Sequence, residues 1–232
     1  MISIRPTDQR GQTKTNWLDS RHSFSFGDYH DPQHHNFRAL RVINEDWIAP
    51  GGGFGLHPHR DMEIVTIVLE GALEHKDSLG NGGIIQRGEI QRMTAGTGIM
   101  HSEFNASADE TAHLLQVWML PERKGLPPSY EQRTLDWTYV RNGLKLIASR
   151  DGREGAITVH QDVELFVGSL AAGGAATVRL GAARHAWLQM TRGALTLNGM
   201  PLRAGDGAAV SEEAKLSLAA NEASEFLLFD LA

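Results

Sequence analysis

A chain of 232 residues, 41% of them hydrophobic, is long enough for one large or two small domains with a proper core. Its net charge of −6 and the lack of any dense Lys/Arg block argue against direct nucleic-acid binding. The absence of cysteine excludes disulfides, thiolate zinc sites, iron–sulfur clusters and a cysteine nucleophile. No apolar run approaches the roughly 20 residues of a membrane span, and the opening MISIRPTDQR shows no apolar signal core, so a cytoplasmic protein without a membrane partner is expected.

Residues 1–36 are polar and rich in turn formers. The run His22–Phe26 alternates, which puts Phe24 and Phe26 on one face. His30, His34 and His35 sit near Asp31-Pro32 and read as solvated loop residues rather than a second metal site. Arg38–Ile48 reads as a strand, with a turn or bulge expected at Asn44-Glu45-Asp46. Three glycines, Gly51 to Gly53, then give a flexible approach to His57-Pro58-His59. Pro58 holds His57 extended and suits a strand edge, because it has no N–H to donate.

Met62–Leu69 is a strong strand, β-branched through residues 64–68. Glu70-Gly71 reads as a hairpin turn into Ala72–Lys76, and Asp77–Gly83 as another turn. Ile84–Gln86, Gly88–Met93 and His101–Phe104 are short strands, and His113–Leu120 closes the set. On that last strand His113, Leu115, Val117 and Met119 share a face, which makes His113 either a pocket residue or a hydrogen-bonded structural histidine. Residues 121–136 are rich in proline and charge and read as an interdomain connection. There Pro127-Pro128 breaks the chain, and Ser129 is expected to cap a short helix over Tyr130–Leu135.

Beyond residue 140 short strands resume. Arg192-Gly193 echoes Glu70-Gly71, and Asn198-Gly199 is the strongest hairpin signal in the chain. His160 and His185 are isolated. With 25 glycines between short apolar segments, the whole reads as all-β.

Chemistry gathers at two pairs with the same spacing, His57/His59 and His101/Glu103. Residues i and i+2 of a strand point to one face. Two such pairs on neighbouring barrel strands converge three imidazoles and a carboxylate, a donor set that suits Fe(II), Mn, Ni or Cu with positions left for substrate or oxygen. Glu63 competes for the carboxylate position, since parity along a straight strand also puts it on the histidine face. Spacing alone does not choose between Glu63 and Glu103.

Gly51, His57, His59, Glu63 and Gly71 resemble the first cupin motif, and Gly88-Glu89 through Ala95-Gly96 to His101 and Asn105 the second. The second departs from the general form, with Thr94 where proline is usual and two extra residues before His101. That variant, MTAGTGIMHSE, together with FGLHPHRDMEIVTIVLEGALEHKDSLG and WLDSRHSFSFGDYHDP, resembles the pirin family. The likeness is closest to its bacterial members with flavonol (quercetin) 2,3-dioxygenase activity, and it is strongest over residues 16–120.

The resemblance implies a bicupin of two consecutive jelly-roll β-barrels, a metal-binding domain over residues 1–135 and a degenerate, metal-free one over 136–232. It implies Glu103 as the fourth ligand beside His57, His59 and His101, with Glu63 holding a ligand in place from outside. It implies Fe(II) as the usual ion, with Mn, Ni, Co, Cu and Zn as alternatives. The implied reaction takes a flavonol and O2 and releases carbon monoxide, with Glu103 as base. Rival readings are a non-enzymatic metal- or redox-responsive regulator that binds a protein partner, and a cupin isomerase. An Arg/Lys cluster beside the site would favour the isomerase, and Arg38, Arg41 and Arg60 are the nearby cations.

Overall fold

The computed structural model describes residues 1–135 and 140–232. Twenty-two strands run through the described residues, so the all-β expectation holds. By Cα proximity the chain forms two compact units. Of the described residues, one unit holds 11–135 and 157–161, and the other holds 1–10, 140–156 and 162–232. The expected domain boundary at 135/136 abuts residues 136–139, which lie outside the described residues.

The first unit has two antiparallel sheets. The larger runs in the order β12 (Ser129–Thr134), β9 (Glu89–Thr94), β6 (Glu63–Glu70), β11 (Ala112–Met119), β4 (Leu40–Ile48), β3 (Leu18–His22), β2 (Gly11–Lys14). The smaller runs β5 (Gly53–His59), β10 (Ile99–Asn105), β7 (Ala72–Asp77), β8 (Gly82–Gln86). Leu18, Ile48, Val68 and Leu114 of the larger sheet pack on Leu73 and Ile85 of the smaller, which fixes the two face to face. The short strand β14 (Ile157–Thr158) also belongs to this unit. The Arg92 guanidinium donates to the Thr158 carbonyl at 2.9 Å, and the Thr158 N–H donates to Glu131.

The second unit repeats the plan. β1 (Ile2–Arg5), β20 (Gly207–Val210), β17 (His185–Arg192), β22 (Ser224–Leu231), β15 (Val163–Leu170) and β13 (Gly143–Ser149) lie side by side. Across from them run β16 (Ala175–Arg179), β21 (Lys215–Ala220), β18 (Ala194–Leu197) and β19 (Met200–Arg203). Leu188, Met190 and Leu228 meet Leu195, Leu197 and Leu218 between the sheets. Residues 1–10 therefore complete this unit: Ile2 pairs with Val210 and Arg5 with Gly207.

Local expectations fare differently. Asn198 and Gly199 both take positive φ, 47° and 82°, and join β18 to β19 in the two-residue hairpin the dipeptide predicts. Glu70-Gly71 and Arg192-Gly193 are not hairpins. Each passes the chain from the larger sheet to the smaller, so they are matching corners of the two units. A Cβ on Gly193 would lie 2.2 Å from the Ala223 carbonyl oxygen, which shows how tightly that corner is drawn.

The expected bulge at Asn44–Asp46 is absent. β4 runs through it because Asn44 bonds His22 and Glu45 bonds His113, so both side chains are buried with partners. The expected helix over Tyr130–Leu135 is strand β12, paired from Ser129↔Thr94 to Thr134↔Glu89. The edge of β9 satisfies more backbone groups than one isolated helical turn does, and tertiary pairing overrides the cap signal.

Candidate metal centre

Three strands of the smaller sheet build the centre. β10 lies between β5 and β7, with His101 opposite His57 on one side and Asp77 on the other. Ile99 stands opposite His59, and Glu103 opposite His75. β5 is the edge strand, where Pro58 costs no ladder hydrogen bond, as expected. Along β10 burial alternates: Ile99, His101, Glu103 and Asn105 face inward, while Met100 and Phe104 face out.

The three histidines converge as the paired spacing predicts. Ring centroids lie 4.8 Å apart for His57–His59, 4.4 Å for His57–His101 and 4.8 Å for His59–His101. Their ligand nitrogens lie within 4.8 Å of one another. His57 Nδ1–H donates to the Gly55 carbonyl at 2.7 Å, which leaves Nε2 with its lone pair. His101 Nε2 is buried and has no hydrogen-bond partner among the described residues. Burial, with repulsion from the neighbouring imidazoles, takes His101 down to about 2 and His59 down to about 4. Both are therefore neutral at pH 7. Neutral imidazoles with an orphaned lone pair fit a divalent transition metal.

Glu103 is 3% exposed. Both its oxygens accept from Gln116 Nε2 at 3.0 Å, and Gln116 Oε1 accepts from Thr66 Oγ1 at 3.1 Å. Burial lifts its carboxyl to about 7, with the Gln116 bond opposing and the Asp46 charge reinforcing the shift. A carboxyl poised there can both take and return a proton. Ligand atoms of Glu103, His101 and His75 also lie within 4.8 Å of one another, so His101 is common to both clusters.

Glu63 goes elsewhere. Its Oε2 accepts from the His160 backbone N–H at 3.0 Å and contacts His160 Nδ1 at 3.1 Å, and it belongs to neither ligand cluster among the described residues. Parity fails because Asp61 takes φ 49° between β5 and β6 and sends the chain into the other sheet. Glu63 thus steadies His160, not a ligand histidine.

A cavity of about 320 Å³ opens on the cluster, within the range of small-molecule sites. His57, His59 and Glu103 form one wall; Leu18, Phe26, Phe54 and Trp118 supply apolar surface; His22, Asn44 and Asp46 supply polar groups. Among the described residues no Arg or Lys lines it. Arg41 is spent on the Ser25 and His35 carbonyls, and Arg60 lines a separate surface depression.

His113 proves structural: it stacks on Trp47 at 4.4 Å and bonds Glu45 at 3.0 Å. The opposite face of β11 reaches the site through Gln116 and Trp118, with the Trp118 ring edge-on to His59 at 4.7 Å. Those two and His75 are the positions beside the site that sequence reasoning misses. Parity against the buried run of β11 was the available signal for the pair. His34 bonds Asp31 in its loop, and His185 bonds Ser211.

The Pirin family matches residues 3–119, and the family described as quercetinase C-terminal cupin domain matches residues 146–231. The chain is 47% identical over 231 residues to quercetin 2,3-dioxygenase of Escherichia coli strain K12, covering 100% of this chain and 99% of that relative. The solved structure of the bacterial pirin YhhW from Escherichia coli in complex with nickel(II) is 47% identical with a TM-score of 0.95, covering 100% and 99% of the two chains. A quercetin 2,3-dioxygenase from Acinetobacter baumannii is 25% identical with a TM-score of 0.81, covering 98% and 85%.

Proposed function

The chain belongs to the pirin family, and on that premise we propose that it is a metal-dependent dioxygenase that cleaves a flavonol such as quercetin with O2 and releases carbon monoxide. One observation carries the reading: the His57, His59 and His101 rings converge, and two of them share one wall of a largely apolar cavity with a carboxyl that burial lifts to about 7, with no Arg or Lys among the described lining residues. We assign His57, His59, His101 and Glu103 as the residues that would hold one divalent ion, Fe(II) first and Mn, Ni, Co, Cu or Zn as alternatives. The nickel(II) in the Escherichia coli pirin supports an ion of this class. When bound, such an ion supplies Lewis acidity that makes the flavonol 3-hydroxyl easier to ionise.

The chain's own residues do the rest. Leu18, Phe26, Phe54 and Trp118 receive the flat rings and keep water from the reacting face. Glu103 takes the 3-hydroxyl proton, with Gln116 and Thr66 holding its carboxyl in place. The two oxygen atoms enter at C2 and C4, the C2–C3 and C3–C4 bonds break, and C3 leaves with its oxygen as carbon monoxide. The proton held on Glu103 returns to the depside product, so atoms balance. The isomerase alternative needs cations for an anionic substrate, and the cavity has none among the described residues. We assign the second domain a structural role without metal, and the protein to the cytoplasm; no helix among the described residues is long and apolar enough to cross a membrane.

The test is turnover. Metal-stripped protein is reloaded separately with Fe(II), Mn(II), Ni(II), Co(II) and Cu(II), given quercetin in aerated buffer, and followed by carbon monoxide release. His101→Ala is the control for free-metal oxidation. Carbon monoxide from the wild type alone is expected. No release with any ion, despite stoichiometric binding, overturns the reaction and moves weight to a partner-binding role.

A further inference from the structure

The proposed ligand set leaves the buried imidazole beside His101 unused. His75 on β7 has no exposed surface, and its ring stacks on Tyr130 with centroids 4.9 Å apart. Its Nδ1 lies 3.4 Å from His101 Nδ1. Two ring nitrogens at that distance share one proton, so one donates and the other accepts. With Nδ1 engaged there, Nε2 is the His101 nitrogen left for a metal, and it is the one with no hydrogen-bond partner. A lone pair on Nε2 puts the His101 proton on Nδ1. The His75 proton must then sit on Nε2, which makes no hydrogen bond among the described residues but lies 3.5 Å from Asp77 Oδ2, close enough for the carboxylate charge to favour it there.

Asp77 is itself immobilised. Its Oδ1 accepts from the backbone N–H groups of Leu79 at 2.9 Å and Asn81 at 3.0 Å, and its Oδ2 accepts from Asn81 Nδ2 at 3.0 Å. These bonds close the turn between β7 and β8. The side chains of His75 and Asp77 are both 0% exposed, so no water competes for the protons between them.

We propose that His75 is the positioning residue for His101: His101 Nδ1–H donates to His75 Nδ1, Asp77 draws the His75 Nε2–H, and this chain holds the His101 Nε2 lone pair toward His57 and His59. A surface turn thereby sets the tautomer and orientation of a metal ligand through two imidazoles. Outer partners of this kind raise ligand basicity and fix ring orientation. The inference rests on the reading of His101 as a ligand and not on the flavonol reaction. The competing arrangement is a second cation held by His75, His101 and Glu103, whose ligand atoms also lie within 4.8 Å. That arrangement strips His101 of both ring protons if the first site is filled as well, whereas the shared proton leaves it neutral.

Co(II) is the probe, added to metal-stripped full-length protein. Its visible d–d absorption reads affinity and stoichiometry, and proton NMR in water reads the shifted, exchangeable imidazole N–H of His101. His75→Leu is expected to weaken Co(II) binding by about 10–100-fold and to move or abolish that N–H signal. His75→Gln keeps an oxygen able to accept the same proton and is expected to restore most of the affinity, an effect that packing alone does not produce. Asp77→Asn keeps the turn's acceptor and is expected to lose affinity less than His75→Leu does.

A folded His75→Leu protein with wild-type affinity and an unchanged N–H signal overturns the inference. So does a second equivalent of Co(II) on the wild type that His75→Leu loses. If circular dichroism shows that His75→Leu does not fold, Asp77→Asn decides: weakened binding supports the chain, and wild-type affinity overturns it. A wild type that binds no Co(II) removes the metal centre altogether. Stoichiometric Co(II) with no carbon monoxide from quercetin under any ion removes only the reaction and leaves the positioning role standing.

Discussion

At the scale of single residues, the two carboxylates that compete in the sequence have separate jobs in the fold. Glu103→Gln is expected to lower kcat by about 10²–10⁴-fold, the usual contribution of a positioned base, whereas Glu63→Gln keeps its metal and disturbs only the contact with His160. Metal per chain by plasma mass spectrometry, beside turnover, checks both. Gln116→Leu removes the side-chain hydrogen bond that opposes burial at Glu103. The carboxyl then rises further, so the acidic limb of the kcat/KM profile is expected to move to higher pH; an unmoved limb would take Glu103 out of the role of base. The convergence of His57, His59 and His101, and the shared inward face of His101 and Glu103, were legible because residues i and i+2 of a strand point one way. His75 was not, since a single histidine in ALEHKD repeats no pattern, and its partner lies across the sheet, 26 residues away.

At the scale of elements, two glycine corners do what the sequence presents as hairpin work. Gly71 and Gly193 have φ near 70° and face carbonyl oxygens, at 2.9 Å from a Cβ on Gly71 and 2.2 Å from one on Gly193. Gly193→Ala is therefore expected to destabilise more than Gly71→Ala. Gly80→Ala, in open space at φ 87°, is expected to cost only the left-handed strain of about 1–2 kcal/mol. Urea midpoints of the three variants test the order. Strand existence was readable from the unbroken β-branched run in β6 and from the dipeptide before β19. The pairing partners were not, because composition does not say whether a turn closes a hairpin or crosses between sheets. β12 shows the same limit: Ser129 is a fair helix cap in isolation, and only the neighbouring edge of β9 makes the segment a strand.

At the scale of the molecule, the two units each have a sheet pair and an apolar core, and each draws a segment from the far side of the chain. Metal removal is expected to lower the melting temperature: binding at one hundred times Kd contributes about 2.7 kcal/mol, and calorimetry with and without chelator reads the difference. Deletion of residues 1–6 removes β1 and bares the edge of β20, so it is expected to lower the melting temperature while metal per chain stays unchanged. The repeated plan was visible in the matching Gly71 and Gly193, yet the destination of residues 1–10 was not. Four residues, even alternating as Ile2-Ser3-Ile4-Arg5 do, are too few to name partners that stand at Gly207–Val210. That pairing sets an order on the protein's birth. At synthesis rates of about 5–20 residues per second, Ile2 is added to the chain roughly 10–40 s before Val210. A strand made early is thus among the last to find its place, and until then it must stay unclaimed by other edges.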